Sequence, residues 1–309
     1  MTNEQTLEFL TTAANQHASD IFIIAGRPLS IKVDGHLTDF GERLMPDDTK
    51  QILECIYQMA NNRDINHLLN TGDDDFSFSI PGLSRFRINA YKQRGSLAAV
   101  IRVIAFQLPD PSELSIPDDV MQTADYTKGM VLVTGSAGSG KSTTMACLID
   151  RINHSREGHI ITLEDPLEYL HRHDRCIVSQ REICTDTENY LTSLRATLRQ
   201  SPDVILLGEM RDHETIQTAM TAAETGHLVL SSLHTLGAAN SISRIIDVFE
   251  PAQQHQIIVQ LSMVLQAVIS QQLIPDVNGK VIPVFEVMRL TPAIRNMIRD
   301  NKLHQIEGV

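Results

Sequence analysis

The stretch Gly135-Ser136-Ala137-Gly138-Ser139-Gly140-Lys141-Ser142 fits G-x-x-x-x-G-K-[ST], the pattern of a phosphate-binding loop. Met130 to Thr134 before it reads as a short buried strand, and Thr143 to Ile149 after it as the first turns of a helix. That strand–loop–helix context is what the motif requires. Glycines let the backbone bend so that successive N–H groups face phosphate oxygens, and the helix N-terminus adds a positive dipole end. Lys141 has the reach for β- and γ-phosphates, and the Ser142 hydroxyl suits Mg²⁺. The candidate cofactor-binding residues are therefore Ser136, Ala137, Gly138, Ser139, Gly140, Lys141, Ser142 and Thr143. Lys141 is also a candidate catalytic residue and Ser142 a candidate metal ligand.

Composition narrows the rest. A chain of 309 residues with 42% apolar content can fill about two cores. The formal net charge of −12 argues against nucleic acid as the main partner, because phosphate backbones call for a basic surface. The four cysteines, Cys55, Cys147, Cys176 and Cys184, form no C-x-x-C pair; with His171 and His173 nearby they give no standard zinc spacing. Their scatter suits a reducing compartment, and the first residues lack the basic and apolar regions of a signal peptide. The most apolar long stretch, Ile257 to Ile274, is interrupted by glutamines and serines. It reads as a buried or amphipathic helix and not a membrane span, so direct membrane insertion is not expected.

Along the chain, residues 1–108 read as a small α+β domain. A helical pattern over 4–17 is followed by strands over 21–25, 29–33 and 36–40, the last two joined by the hairpin signal Asp34-Gly35. A helix over 47–62 and alternating strands over 75–80, 84–91 and 96–105 complete it. On the second of these, Phe86, Ile88 and Ala90 point one way and Arg85 and Arg87 the other; Arg102 lies mid-strand on the third. Pro109, Pro111 and Pro117 mark a connector over 109–118. Beyond it, over 119–309, strands at 130–134, 159–164, 203–208 and 227–232 alternate with helices, which predicts a mostly parallel sheet covered by helices.

Two of these strands end in acids: Ile160 to Glu164-Asp165, and Asp203 to Glu209. In open α/β sheets ligands bind beyond the carboxyl ends of the strands, which places both ends near the phosphate loop. Glu209 and Glu164 are the candidates for holding Mg²⁺ and for orienting the attacking water, one in each role. His227 and His234 flank a further apolar strand. Either could sense a γ-phosphate by hydrogen bonding, although a strand-end histidine is more often a structural hydrogen bonder.

Together these residues resemble the secretion-type ATPases. The resemblance is carried by Ala18-Ser19-Asp20 and Val33-Asp34-Gly35, by Thr134 to Thr144, and by Thr162 to Tyr169, which is similar to the family's Asp box. Leu198 to Asp212 resembles its Walker B region, and Thr221 to Thr235 its His box. Thr291 to Arg299 resembles the C-terminal motif of the pilus-retraction branch, and the tetracysteine insert of the assembly and secretion branch is missing. Phe22 stands where that family usually has histidine, and Ser136-Ala137 where Pro-Thr is commoner. Relatives run on through further helices past Met297, so the chain reads as a short or truncated form.

The resemblance implies an α/β, RecA-like P-loop domain behind a smaller PAS-like N-terminal domain. It implies ATP with Mg²⁺, Glu209 as a metal ligand, and catalytic roles for Glu164, Glu209, Lys141 and His234, with His227 also at the nucleotide. It further implies a homohexameric ring in which Arg87 and Arg102 of one chain serve the next. The ring would be cytoplasmic, peripheral to the inner membrane, with a pilus platform protein as partner. A secretion or conjugation motor of the same family, and a weakly hydrolysing regulatory subunit, stay open at this point.

Overall fold

The computed structural model describes residues 1–33, 35–104, 108, 110–277 and 281–308. Internal contacts divide it into two compact units, Met1–Gln107 and Leu108–Val309.

The first unit opens with helix α1 (Asn3–Asn15), whose start is fixed reciprocally: Gln5 N–H donates to Thr2 Oγ1, and Thr2 N–H donates to the Gln5 side chain. Strands β1 (Asp20–Ile23), β2 (Leu29–Val33) and β3 (His36–Phe40) follow, then helices α2 (Pro46–Met59) and α3 (Asn66–Thr71), and strands β4 (Asp73–Ile80), β5 (Ser84–Gln93) and β6 (Ser96–Ile104). They form one antiparallel sheet in the order β3-β2-β1-β6-β5-β4. Helix α2 packs on β6, and Ile52, Ile56, Phe86, Ile88 and Ile101 are fully enclosed between helices and sheet. Val33 pairs with His36 as the hairpin signal requires; Asp34 of that signal and Ala105, the expected end of the last strand, lie outside the described residues.

The second unit contains α4 (Asp118–Met121), β7 (Gly129–Thr134), α5 (Lys141–Ser155), β8 (Gly158–Glu164), β9 (Cys176–Glu182), α6 (Tyr190–Thr197) and β10 (Val204–Leu207). It continues with α7 (His213–Glu224), β11 (Leu228–Leu233), α8 (Ala238–Asp247), α9 (Pro251–Val264), β12 (Leu265–Pro275), β13 (Val281–Arg289) and α10 (Pro292–Arg299). The sheet order is β13-β12-β7-β11-β10-β8-β9, parallel except for β13 against β12. Both faces are buried, as a parallel sheet needs. Met130 and Leu132 enter the core on one face with Ile216 and Met220 of α7, while Val131 and Val133 enter the core on the other with Leu148 and Ile149 of α5. The stretch 109–118, read as a connector, falls in this unit: Ile116 is buried in the α5-side core, and Pro109 lies outside the described residues.

One expectation is corrected. Ile257 to Ile274 is not one helix: α9 stops at Val264 and the chain continues as β12. Val268 and Ile269 sit buried beside Leu132 and Val133 of β7, so a place in the sheet overrides the helix-compatible apolar pattern. Arg295 on α10 closes that junction. Its guanidinium donates to the carbonyls of Ser262 and Met263 and to Gln266 Oε1 at 2.8–3.0 Å, satisfying the end of α9.

Candidate functional site

The phosphate loop leaves β7 and enters α5 at the carboxyl end of the parallel sheet. Gly135 has φ +150°, and a Cβ there would stand 2.3 Å from the carbonyl oxygen of Gln271 on β12. Gly140 caps α5 in the left-handed region, φ +86°, and no side chain caps the helix, so its first N–H groups are free for an anion. The Ser139 hydroxyl is buried and without a partner. An orphaned donor, an uncapped helix start and a glycine cradle together fit a bound phosphate chain.

Lys141 is buried, its ammonium donating to the carbonyls of Gly135 (2.9 Å) and Ser136 (2.8 Å) and standing 3.5 Å from His234 Nδ1. Burial lowers its pKa, and Glu209 and Glu168 oppose that shift. A cleft of about 400 Å³ opens over it. Ala137, Gly138, Gly140, Ser142, Thr143, Glu164, Glu209 and His234 share this cleft with Lys141. Glu164 at the end of β8 and Glu209 after β10 thus converge with the loop because parallel strands end together. Gly208 keeps them close: a Cβ there would stand 2.8 Å from Tyr190 Oη and 3.4 Å from Glu164 Cα.

The two acids differ. Glu209 is ion-paired with Arg211 at 2.7 Å, and His234 Nε2 lies 3.4 Å from its other oxygen. Among the described residues Glu164 has no ion-pair partner; burial pushes its carboxyl up to about 7, the polar side chains of Thr162 and Gln180 pull against this, and the negative charges of Glu168 and Glu182 add to the rise. A carboxyl poised near neutrality can take a proton at physiological pH, as a general base must.

His227 does not belong to this cleft, which corrects the expectation that it contacts nucleotide. Strand β11 runs parallel to β7, with Leu228 opposite Gly129 and Leu233 opposite Thr134. His234 therefore leaves the strand beside the loop, and His227 enters it at the far edge of the sheet. There its Nδ1 lies 2.8 Å from the Ala222 carbonyl, closing the end of α7.

The structure also gathers residues to which the sequence reading assigned no role at the nucleotide. Asp165, Glu168, His171, Tyr190, Arg211 and Ser232 line the cleft. Thr143 Oγ1 and Tyr169 Oη lie 2.9 Å apart, and Thr144 Oγ1 donates to Gln271 Oε1 at 2.7 Å. Gln271 escaped sequence reasoning because its strand was read as helix. An adjoining, largely apolar cleft of about 270 Å³ shares Gly140 and Thr143 with the first and is lined by Leu114, Ile116, Leu273 and Ile282. Its size and character suit a planar base next to the phosphates.

Arg87 and Arg102 belong to the first unit. They are direct cross-strand partners on β5 and β6. Like charges directly opposite each other are unfavourable. Each is held by an acid: Arg87 by Asp75 at 2.9 Å, and Arg102 by Asp20 at 3.4 Å.

A glycine loop carrying Lys141, with acids from two neighbouring strand ends, defines a P-loop ATPase site. The chain matches the model of the type II/IV secretion system protein family over residues 3–306, and it belongs to that family. It is 44% identical over 299 residues to the type IV pilus retraction ATPase PilT of Pseudomonas aeruginosa, covering 97% of this chain and 86% of that one. It is 40% identical over 306 residues to a twitching motility protein of Neisseria gonorrhoeae, covering 98% of this chain and 81% of the relative. A crystal structure of the pilus retraction motor PilT with bound ADP superimposes with a TM-score of 0.89 at 44% identity, over 98% of this chain and 88% of that one. Among the described residues, no helix is long and apolar enough to cross a membrane.

Proposed function

We propose that this chain is a motor ATPase that converts ATP hydrolysis into the retraction of a type IV pilus. The observation that carries the reading is the convergence of Lys141, Glu164, Glu209 and His234 on one glycine cradle, in a chain similar along nearly its whole length to a retraction ATPase. Ser136 to Thr143 hold the triphosphate through backbone N–H groups, and Lys141 neutralises the β- and γ-phosphates. Ser142 and Glu209, which both line the cleft, would hold Mg²⁺, and that ion would supply charge neutralisation at the phosphates. Glu164 takes the proton of the attacking water, and His234, bridging Glu209 and Lys141, reports the presence of the γ-phosphate.

The motor works as a homohexameric ring. Arg87 and Arg102 of one chain face the phosphates of the next, where a planar guanidinium donates bidentate hydrogen bonds and keeps its charge. The ring lies in the cytoplasm against the inner membrane and acts on the pilus platform protein.

The direct test is phosphate release by the purified chain. Mg²⁺-dependent hydrolysis is expected to vanish in Lys141→Ala. It is expected to slow by about a hundredfold or more in Glu164→Gln and Glu209→Gln, the scale for losing a positioned acid or base. Nucleotide binding should persist in both carboxylate variants. Wild-type turnover in Lys141→Ala would sink the site assignment.

A further inference from the structure

Between Glu164 and the start of β9 the chain makes an excursion whose residues Asp165, Pro166, Glu168 and His171 form one wall of the cleft. Strand β9 is the edge of its sheet, so no strand ladder satisfies the backbone of this segment. Side chains of β9 do it instead. Gln180 Oε1 accepts from His171 N–H at 2.7 Å, and Gln180 Nε2 donates to the Tyr169 carbonyl at 2.9 Å. Buried Glu182 accepts from Leu167 N–H at 3.3 Å, and its other oxygen accepts from Thr185 Oγ1 at 3.3 Å. Gln180 and Glu182 are two apart on a strand and share a face; Leu167, Tyr169 and His171 have the same spacing. The rungs therefore form a short side-chain ladder parallel to the main-chain ladder that pairs Thr162 with Gln180 and Glu164 with Glu182.

We infer that Gln180 and Glu182, neither of which lines the cleft, are positioning residues that splint segment 167–171 as the catalytic wall. The segment is tied at both sides: Glu164 leads into it from β8, and Tyr169 reaches the phosphate loop through Thr143. Groups outside a site that fix the orientation of groups inside it are a recurrent requirement of precise chemistry. The inference rests on reading this cleft as the site of ATP hydrolysis.

The two rungs have different chemistry, which makes them separable. Gln180 uses both ends of its amide. Glutamate there has no donor for the Tyr169 carbonyl and sets a carboxylate against it. Glu182 only accepts. Glutamine there keeps an acceptor for Leu167 N–H and offers an amide donor to the Thr185 hydroxyl.

The experiment compares kcat, nucleotide affinity and melting temperature in the full chain for Gln180→Glu, Gln180→Ala, Glu182→Ala and Glu182→Gln, with wild type and Lys141→Ala in the same series. For Gln180→Glu, Gln180→Ala and Glu182→Ala, kcat is expected to fall about tenfold or more, since displacing a catalytic wall by an ångström can cost up to about a hundredfold. Affinity should change by less than about threefold in these variants, because the phosphate loop is untouched. Glu182→Gln should keep the affinity and the maximal kcat of wild type, with the pH profile of kcat moved to lower pH because a negative charge near Glu164 is gone. Variants that melt lower yet bind and turn over normally would overturn the inference, as would Gln180→Glu and Glu182→Gln behaving alike. Normal turnover in the Gln180 variants alongside its loss in Lys141→Ala removes this inference and leaves the ATPase reading standing. An inactive wild type removes both.

Discussion

Glu164 and Glu209 carry the same functional group, and their surroundings set them to different tasks. Glu209 is paired with the Arg211 guanidinium and lies beside the His234 imidazole, whereas Glu164 faces burial and two further carboxylates, which oppose its charge. The consequence for stability has a definite sign. In the unfolded chain Glu164 titrates near the ordinary glutamate value of 4.5, and burial in the fold raises it to about 7. Folding therefore binds a proton at this site, and the stability linked to it is lost as pH rises through that window. Glutamine at the position carries no such penalty. Relative to Glu164→Gln, the wild-type chain is expected to lose thermal stability between pH 5 and pH 8. Melting curves of the two proteins across that range provide the check, and a constant difference would place the Glu164 carboxyl in water.

At the scale of elements, the junction of α9 and β12 matters most for the site, because β12 brings Gln271 behind Gly135 and against Thr144. Arg295 secures it with two carbonyl acceptors at the end of α9 and one side-chain acceptor at the start of β12. Arg295→Ala leaves those groups unpaired, and a loss of about 1–3 kcal/mol in unfolding free energy is expected. Lysine lacks the planar fork and should recover only part of it. Chemical denaturation of the three proteins measures both effects, and an unchanged midpoint for Arg295→Ala would show that the contacts are incidental.

How much of this was legible follows from the kind of signal each piece carries. The loop could be read because its glycines, lysine and serine answer a local chemical demand. Glu164 and Glu209 could be read because strands β8 and β10 are short apolar runs that end in acids. Strand β12 could not, since its residues suit a helix equally well and only β7 decides the matter. His227 was misplaced because a histidine at either end of an apolar strand looks the same in sequence, while strand direction separates the two ends by the whole of β11. The pairing of Arg87 with Arg102 depends on register, which a hairpin turn and alternation suggest without fixing.

For the whole molecule, the expectation concerns chains acting on one another. Arg87 and Arg102 form one cross-strand pair, each moored to an aspartate. An arginine supplied from a neighbouring chain can add about a thousandfold or more to phosphoryl transfer. Arg87→Ala and Arg102→Ala chains should be inactive in pure rings. Mixing either with Lys141→Ala chains should restore part of the activity, since some interfaces then join an intact arginine pair to an intact loop. Subunit-exchange assays over a range of ratios measure this. No recovery at any ratio, with exchange confirmed, would place the arginines within their own chain's chemistry.

The claim that the motor retracts pili meets its most direct measurement in a cell. In a strain lacking this chain, fluorescently labelled pili should still emerge at the surface but fail to shorten. Supplying the wild-type chain should restore shortening, and supplying Lys141→Ala should not. A strain that loses its pili altogether, or whose pili shorten at the usual rate without the chain, would contradict the account.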